Sequence, residues 1–473
     1  MDLHSQRTSP DKELDFYGGV IGALAPFFIF LIGVIFIALS GAPDEKGFWP
    51  ILILALGAGL ILSKNKKSYS EAVIDGMSER IVMIMITAWI LASIIGVLMT
   101  STGFVEALTW MASQANLRSS GYIVSTFIIC CIVSLSTGSS FATILICGPL
   151  LYPTGGLMGA HLPTLAGAVI AGATFGDFSA PISDTTIASA LSQKANIGMT
   201  VKSRIKYIIP ALFIAMFAFV ISAQMHSNDS IDTSITISGD PSGIPMLLVP
   251  VLIIWLFLKE CHLVHGLMYG LLFGVVIGLI SGLLPIENIL SLDLENFVAK
   301  SFIIDGINRA VGISFFTILL MGLVGVVKAS KIMERLVLFA EKNSQSLKQG
   351  EMWIAGTVWT AVMMTTHSIV AILMTSDFSN DVGAKKGISS VRRANILSLV
   401  VCIFPFLLPY FIPVILMSNM TSTGQEFDIA SVGPLEVGLY NFMAWALLII
   451  TMVTLLFGFG RNDDNKSAIN NGK

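Results

Sequence analysis

G-D-F-S-A-P-I-S-D-T-T, residues 176–186, is the densest polar stretch within the apolar part of this chain, and its reading decides the fold. Helix-like apolar runs flank it on both sides. Two carboxylates at membrane depth cost about 5–7 kcal/mol together on insertion scales, so Asp177 and Asp184 are expected to face a cavity and to have partners. Gly176 and Pro181 let a helix stop and restart, which would leave backbone carbonyls at the end of the first half-helix free to coordinate a metal ion. No Lys or Arg stands within the stretch. A bound cation is then the simplest compensating charge, and Asp177, Ser179, Ser183, Asp184, Thr185 and Thr186 supply the hard oxygen donors that an alkali ion prefers. Ser183 or Asp184 could instead cap the second half-helix, whereas Asp177 has no comparable capping position.

The surrounding composition is that of a membrane protein. Of 473 residues, 54% are hydrophobic and 12% charged, with a mean hydropathy of +0.82; soluble domains carry about 25% charged residues. A net charge of -3 gives no basic face for nucleic acid. The five cysteines, Cys130, Cys131, Cys147, Cys261 and Cys402, lie in or beside apolar runs at irregular spacing and read as packing residues rather than a disulfide or zinc framework. The N-terminal tail mixes acidic and basic residues and does not read as a signal peptide.

Windows of about 20 apolar residues give candidate spans at 18–39, 48–63, 80–100, 207–224, 244–259, 262–284, 310–328, 394–417 and 437–460. Regions 119–152, 164–197 and 351–381 are too long for one span, and small or polar residues interrupt each of them. Cytoplasmic loops carry the excess of Lys and Arg. With the N-terminus inside, the Lys64, Lys66, Lys67 loop is inside, and loops 225–243 and 418–436, which contain no Lys or Arg, are outside. The group Lys194, Lys202, Arg204 and Lys206 then falls inside only if 119–152 enters and leaves on the outer side and 164–197 crosses once. Lys385, Lys386, Arg392 and Arg393 fall inside only if 351–381 enters and leaves from the cytoplasm. Two re-entrant hairpins of opposite direction follow.

Internal similarity agrees. Asp75-Gly76 matches Asp305-Gly306, and S-T-G-S-S-F-A-T at 136–143 falls opposite T-T-H-S-I-V-A-I at 365–372, at an offset of about 229. The expected fold is an all-α membrane protein of about ten transmembrane helices plus two re-entrant hairpins, in two inverted repeats with discontinuous helices at the midplane. Its parts are a cytoplasmic tail (1–17), a first repeat carrying the cation site (18–224), an extracytoplasmic loop (225–243), a second repeat (244–460) and a cytoplasmic tail (461–473). Asp75 and Asp305 read as structural residues near helix ends.

The first hairpin offers Thr137, Ser139 and Ser140 around Gly138, either as further cation donors or as backbone satisfaction in a turn. The second offers Thr365, Thr366, His367 and Ser368, with His367 a proton carrier, a substrate contact or a packing residue. The second broken helix reads F-P-F-L-L-P-Y-F, residues 404–411, kept open by Pro405, Pro409 and Pro413 and without a carboxylate. A single cation site owned by the first half is expected.

At these residues the chain resembles the NhaC-type sodium/proton antiporters of the ion transporter superfamily, whose T-G-S-S motif and G-D-x-x-S-P-x-S-D-T-T motif it matches at 137–140 and 176–186. Ala180 stands where that family commonly has Ser before the proline. The resemblance implies a gradient-driven exchanger of sodium and protons with alternating access at a midplane site, in the cytoplasmic (inner) membrane. Similar proteins exchange organic acids or amino acids, so a sodium- or proton-coupled carrier of a small organic anion or amino acid is the rival reading. Sodium is expected as transported or coupling ion with no other cofactor; sodium, protons, the lipid bilayer and, compatibly, a small organic solute or a second copy are the partners. A channel would need rings of like donors from several subunits. No His-Glu-x-x-His, Ser/Lys or Cys/His arrangement suggests an intramembrane enzyme.

Overall fold

The computed structural model of the chain describes residues 14–39, 45–114, 118–181, 183–226, 240–259, 261–294, 297–332, 335, 339 and 346–461. Most of both expected tails and of the expected 225–243 loop lies outside the described residues. The first half contains α1 (Val20–Leu39), α2 (Phe48–Leu62), α3 (Lys66–Met77), α4 (Arg80–Ser101), α5 (Phe104–Gln114), α6 (Ser119–Thr137), α7 (Ser140–Leu157), α8 (Leu162–Ser179), α9 (Asp184–Ser192) and α10 (Ile197–Met225). The second contains α11 (Leu248–Leu258), α12 (Leu263–Ile280), α13 (Ile286–Ile289), α14 (Phe302–Ala329), α15 (Leu347–Thr365), α16 (Ser368–Lys386), α17 (Ser390–Val401), α18 (Ile412–Met420), α19 (Pro434–Leu439) and α20 (Phe442–Phe457).

The fold is that of an all-α membrane protein. Among the described residues, seven helices are long and apolar enough to cross a bilayer, and four shorter apolar ones accompany them. Among the described residues a two-stranded antiparallel ribbon, β1 (Ser291–Asp293) with β2 (Val298–Lys300), in which Leu292 faces Ala299, and an isolated bridge between Phe16 and Ser63 depart from all-helical structure.

Both hairpins fold back on themselves. Gly138 takes a left-handed conformation (φ 65°) to close α6, and Ser139 caps α7 by accepting the Ala142 N–H at 3.2 Å. The start of α6 then meets the end of α7, with the Tyr122 hydroxyl donating to the Leu151 carbonyl at 3.1 Å. In the second hairpin Thr366 (φ 52°) occupies the position that Gly138 holds in the first, and Gly350 at the start of α15 lies against Val382 and Lys386 at the end of α16.

Outside the hairpins, the 164–197 and 394–417 stretches are broken helices. Proline disfavours the helical conformation for the residue before it, and Ala180 before Pro181 is extended (ψ 132°), so α8 ends at Ser179; the helix restarts at Asp184. The 394–417 stretch, expected as one span when read by hydropathy, is likewise split between α17 and α18. A single 3-10 turn at Phe404–Phe406 lies in the gap, where Pro405 removes a donor.

α3 and α4 lie antiparallel along α14. A Cβ on Gly76 would sit 2.2 Å from the Met321 carbonyl oxygen, and one on Gly306 would sit 2.4 Å from the Ile94 Cα, so at both places two backbones touch. Gly306 follows Gly76 by about 230 residues, and Gly325, also against Gly76, follows Ile94 by about the same. The same contact is therefore made twice with the halves exchanged.

Burial sorts the helices by depth. The windows Val20–Ile37, Ile197–Met225 and Leu263–Ile280 are 33% buried, while Ser140–Leu157 is 83% and Leu162–Ser192 88% buried. On α10, Phe213 and Phe217 point outward, as lipid-facing side chains do. α7 and the first broken helix thus lie innermost among these windows.

Candidate cation site at the helix breaks

Asp177 sits in the last turn of α8 and is 7% exposed. Ser183 stands at the N-cap position of α9 but caps nothing; its hydroxyl turns back and donates to Asp177 Oδ1 at 2.8 Å. Thr185 donates to the Asp177 carbonyl at 2.8 Å, lies 3.3 Å from Oδ1, and its hydroxyl is 2.9 Å from that of Ser183. The first turn of α9 therefore fastens the carboxylate across the break. Hydrogen bonds of this kind to an ionised acceptor are about twice as strong as neutral ones.

A cavity of about 70 Å³ opens beside it. Asp177, Asp184 and Thr185 from the first break line it, with Ser139 and Ser140 from one hairpin and Thr366, His367 and Ser368 from the other. Pro405, Phe406, Ile412 and Pro413 close it from the second break, which brings no carboxylate. Asp184, exposed, also lines a larger vestibule of about 600 Å³ with Trp89, Cys261, His262 and His367. Asp177 lines only the inner cavity.

The remaining residues singled out from sequence stand elsewhere. The Ser179 hydroxyl bonds back to the Phe175 carbonyl at 2.5 Å, and that of Thr365 to the Ala361 carbonyl at 2.8 Å; neither lines the cavity. Ser183 is fully buried behind Asp177. The hydroxyl of Thr186 accepts from Arg204 Nη1 at 2.7 Å. The side chain of Thr137 lies outside the described residues. Thr366 and Ser368 donate to the carbonyls of Thr365 (2.8 Å) and Val401 (3.2 Å), and the second bond ties the hairpin tip to α17. His367 Nδ1 is buried without a hydrogen-bond partner.

Two expectations need correction. The carbonyls at the end of α8 are not free: Gly176 O accepts the Ala180 N–H, Asp177 O accepts Thr185, and Phe178 O accepts Arg204 Nη1 at 2.9 Å. The break does have a basic neighbour as well. Arg204, assigned from charge counting to a cytoplasmic loop, lies on α10 and is fully buried. Its guanidinium also donates to Asn395 Oδ1 at 3.1 Å, Ser189 Oγ at 3.0 Å and Ser398 Oγ at 2.7 Å. Sequence could have shown it only through helical periodicity, since Thr200, Arg204, Tyr207 and Ala211 share the buried face of α10.

Among the described residues no group of three or more His, Cys, Asp or Glu could hold a metal ion. Two carboxylates with hydroxyls around a 70 Å³ space suit an alkali cation or protons instead.

This architecture, with opposed hairpin tips and two helix breaks meeting at one polar cavity inside an apolar shell, is that of a multi-pass helical membrane protein. Residues 20–223 match the model of the Na+/H+ antiporter family. The chain is 29% identical over 245 residues to the Na(+)/H(+) antiporter NhaC of Bacillus subtilis (strain 168), covering 49% of this chain and 53% of that one. To the NhaC of Alkalihalophilus pseudofirmus it is 37% identical over 135 residues, 28% and 29% of the two chains. The malate-2H(+)/Na(+)-lactate antiporter of Bacillus subtilis is 27% identical over 190 residues, 40% of each chain. The matched stretches thus span about half or less of these relatives' lengths.

Proposed function

We propose that the protein exchanges sodium for protons across the cytoplasmic membrane by alternating access, with Asp177 as the group that holds one or the other. The observation that carries this reading is a single one: a carboxylate in the last turn of a broken helix, buried, braced by two hydroxyls, and facing a cavity of ion size. Asp184, at the boundary between cavity and vestibule, is the entry ligand, and Ser139, Ser140 and Thr185 complete an oxygen shell. Binding one species from one side and the other from the opposite side makes the two fluxes obligatory partners. The division into repeats 18–224 and 244–460 is supported by the contact made twice between Gly76, Gly306 and their partners. Both termini are placed in the cytoplasm on the distribution of Lys and Arg.

The test is flux in proteoliposomes carrying a pH dye. Asp177→Asn is expected to abolish sodium-dependent proton movement while the melting temperature stays close to that of wild type. Undiminished exchange by the variant would end the assignment.

One observation favours a second reading. The vestibule is far larger than an alkali ion needs and brings His262 and His367 to one space, which suits a small organic anion carried with sodium or protons. Thermal shift separates the two: stabilisation by sodium salts alone supports the exchanger, and stabilisation that requires an organic acid supports the carrier.

A further inference from the structure

Arg204 and Asn441 hold the two helix breaks in the same manner with the halves exchanged. Arg204, on α10, gives one amino group to the Phe178 carbonyl at the first break and the other to Ser398 on α17, the helix that leads into the second break. Asn441, at the start of α20, gives its amide to the Phe406 carbonyl at the second break (2.9 Å) and to Thr174 Oγ1 on α8, the helix that leads into the first (3.0 Å). Phe406 follows Phe178, and Ser398 follows Thr174, by about 225 residues. Both tethers are fully buried. They differ in charge: the break with the carboxylate has a guanidinium, and the break without one has a neutral amide.

A buried guanidinium is tolerated where its fork of donors is met, and here Thr186, Ser189, Asn395 and Ser398 meet it while Phe178 stacks beneath it at 5.1 Å. We propose that Arg204 is a positioning residue of the cation site, a permanent internal charge that locks the first break to α17 and sets the pH at which protons displace the ion from Asp177. This rests on the reading of Asp177 as the ion-holding group. The other titratable groups facing that carboxylate are Asp184 on α9, His367 at the second hairpin tip and the Cys402 thiol at the second break. None of them carries a fixed positive charge.

The experiment compares Arg204→Gln, Arg204→Lys and Asn441→Leu by flux and by melting temperature. Arg204→Gln is expected to move the pH of half-maximal exchange alkaline by about half a unit or more. Arg204→Lys, which keeps the charge, is expected to restore the wild-type profile. Asn441→Leu should lower the melting temperature without moving the profile. A profile that shifts equally in the lysine and glutamine variants, or in Asn441→Leu, overturns the proposal. If Arg204→Gln does not fold, Arg204→Gln combined with Asp177→Asn is expected to fold, since both buried charges are gone; failure of that pair to fold overturns it as well. Absence of sodium-dependent proton flux in wild type would strike the exchange reading alone, leaving the melting temperatures to judge Arg204 through their non-additivity with Asp177→Asn.

Discussion

Asp177 is held by hydroxyl donors from the start of the next helix rather than by its own, which makes the helix break a candidate site. Ser183 could have capped α9, since Ser is a favoured N-cap, yet its hydroxyl is spent on the carboxylate at 2.8 Å. A hydrogen bond to a charged acceptor contributes about 1.5–3 kcal/mol. Ser183→Ala is therefore expected to raise the sodium KM about tenfold or more with turnover less affected, measured as sodium-dependent proton flux. An unchanged KM would show that the hydroxyl only fills space. Ser179, the last residue of α8, bonds to its own helix and should tolerate Ala with no change in KM.

At the scale of elements, the two hairpin turns obey different rules. Gly138 meets its positive φ at no steric cost, whereas Thr366 carries a β-branched side chain at φ 52° in the corresponding turn. Such a residue stores about 1–2 kcal/mol of strain, and strain of this kind persists where function needs the geometry. Thr366→Gly is expected to raise the melting temperature slightly while slowing exchange; a variant both less stable and fully active would contradict this. The ends of α8 and α10 supply a further test. His161, just before α8, stacks on His226 with ring centroids 3.9 Å apart, and its Nδ1 lies 2.8 Å from Thr164 Oγ1. Burial, and then the facing His226 ring, push His161 below the ordinary histidine range. The folded state thus binds fewer protons there than the unfolded state, so the stability is present above about pH 6.5 and falls as pH drops through that value. Melting curves of His161→Gln between pH 7 and pH 5 should be flatter than those of wild type, and equal slopes would dismiss the effect. The same contrast explains what sequence made legible. Gly138 frees the backbone for a left-handed turn, and Pro181 and Pro405 restrict it, so the first hairpin tip and both breaks carry local signals, although hydropathy alone read 394–417 as one span. Thr366 carries no such signal, and its turn followed from the Lys and Arg pattern and the internal repeat instead. Arg204 was hidden because charge counting places an arginine near a membrane edge, while the hydroxyls and carbonyl that make its burial tolerable come from three other helices distant in sequence.

At the scale of the whole molecule, the inner cavity and the vestibule share Gly138, Ser139, Asp184 and His367 in their walls, and the other vestibule residues bear on which side it opens to. Cys261 and His262 stand at the start of α12, the junction that the charge pattern places on the cytoplasmic side if loop 225–243 is outside. On that orientation the vestibule would open inward, with Asp184 in its wall and Asp177 in the wall of the inner cavity beside it. The native cysteines make the assignment measurable: Cys130, Cys131, Cys147 and Cys402 are buried, and Cys261 is partly exposed in the vestibule. A membrane-impermeant maleimide is expected to label the protein in inside-out vesicles and not in right-side-out ones, with Cys261→Ala removing the signal. Labelling confined to right-side-out vesicles would reverse the orientation, and with it the direction in which the two hairpins enter the membrane. Labelling that falls when sodium is added would further show that occupancy of the inner cavity closes the vestibule, because a thiol at the start of α12 has no direct contact with Asp177 through which the ion could shield it.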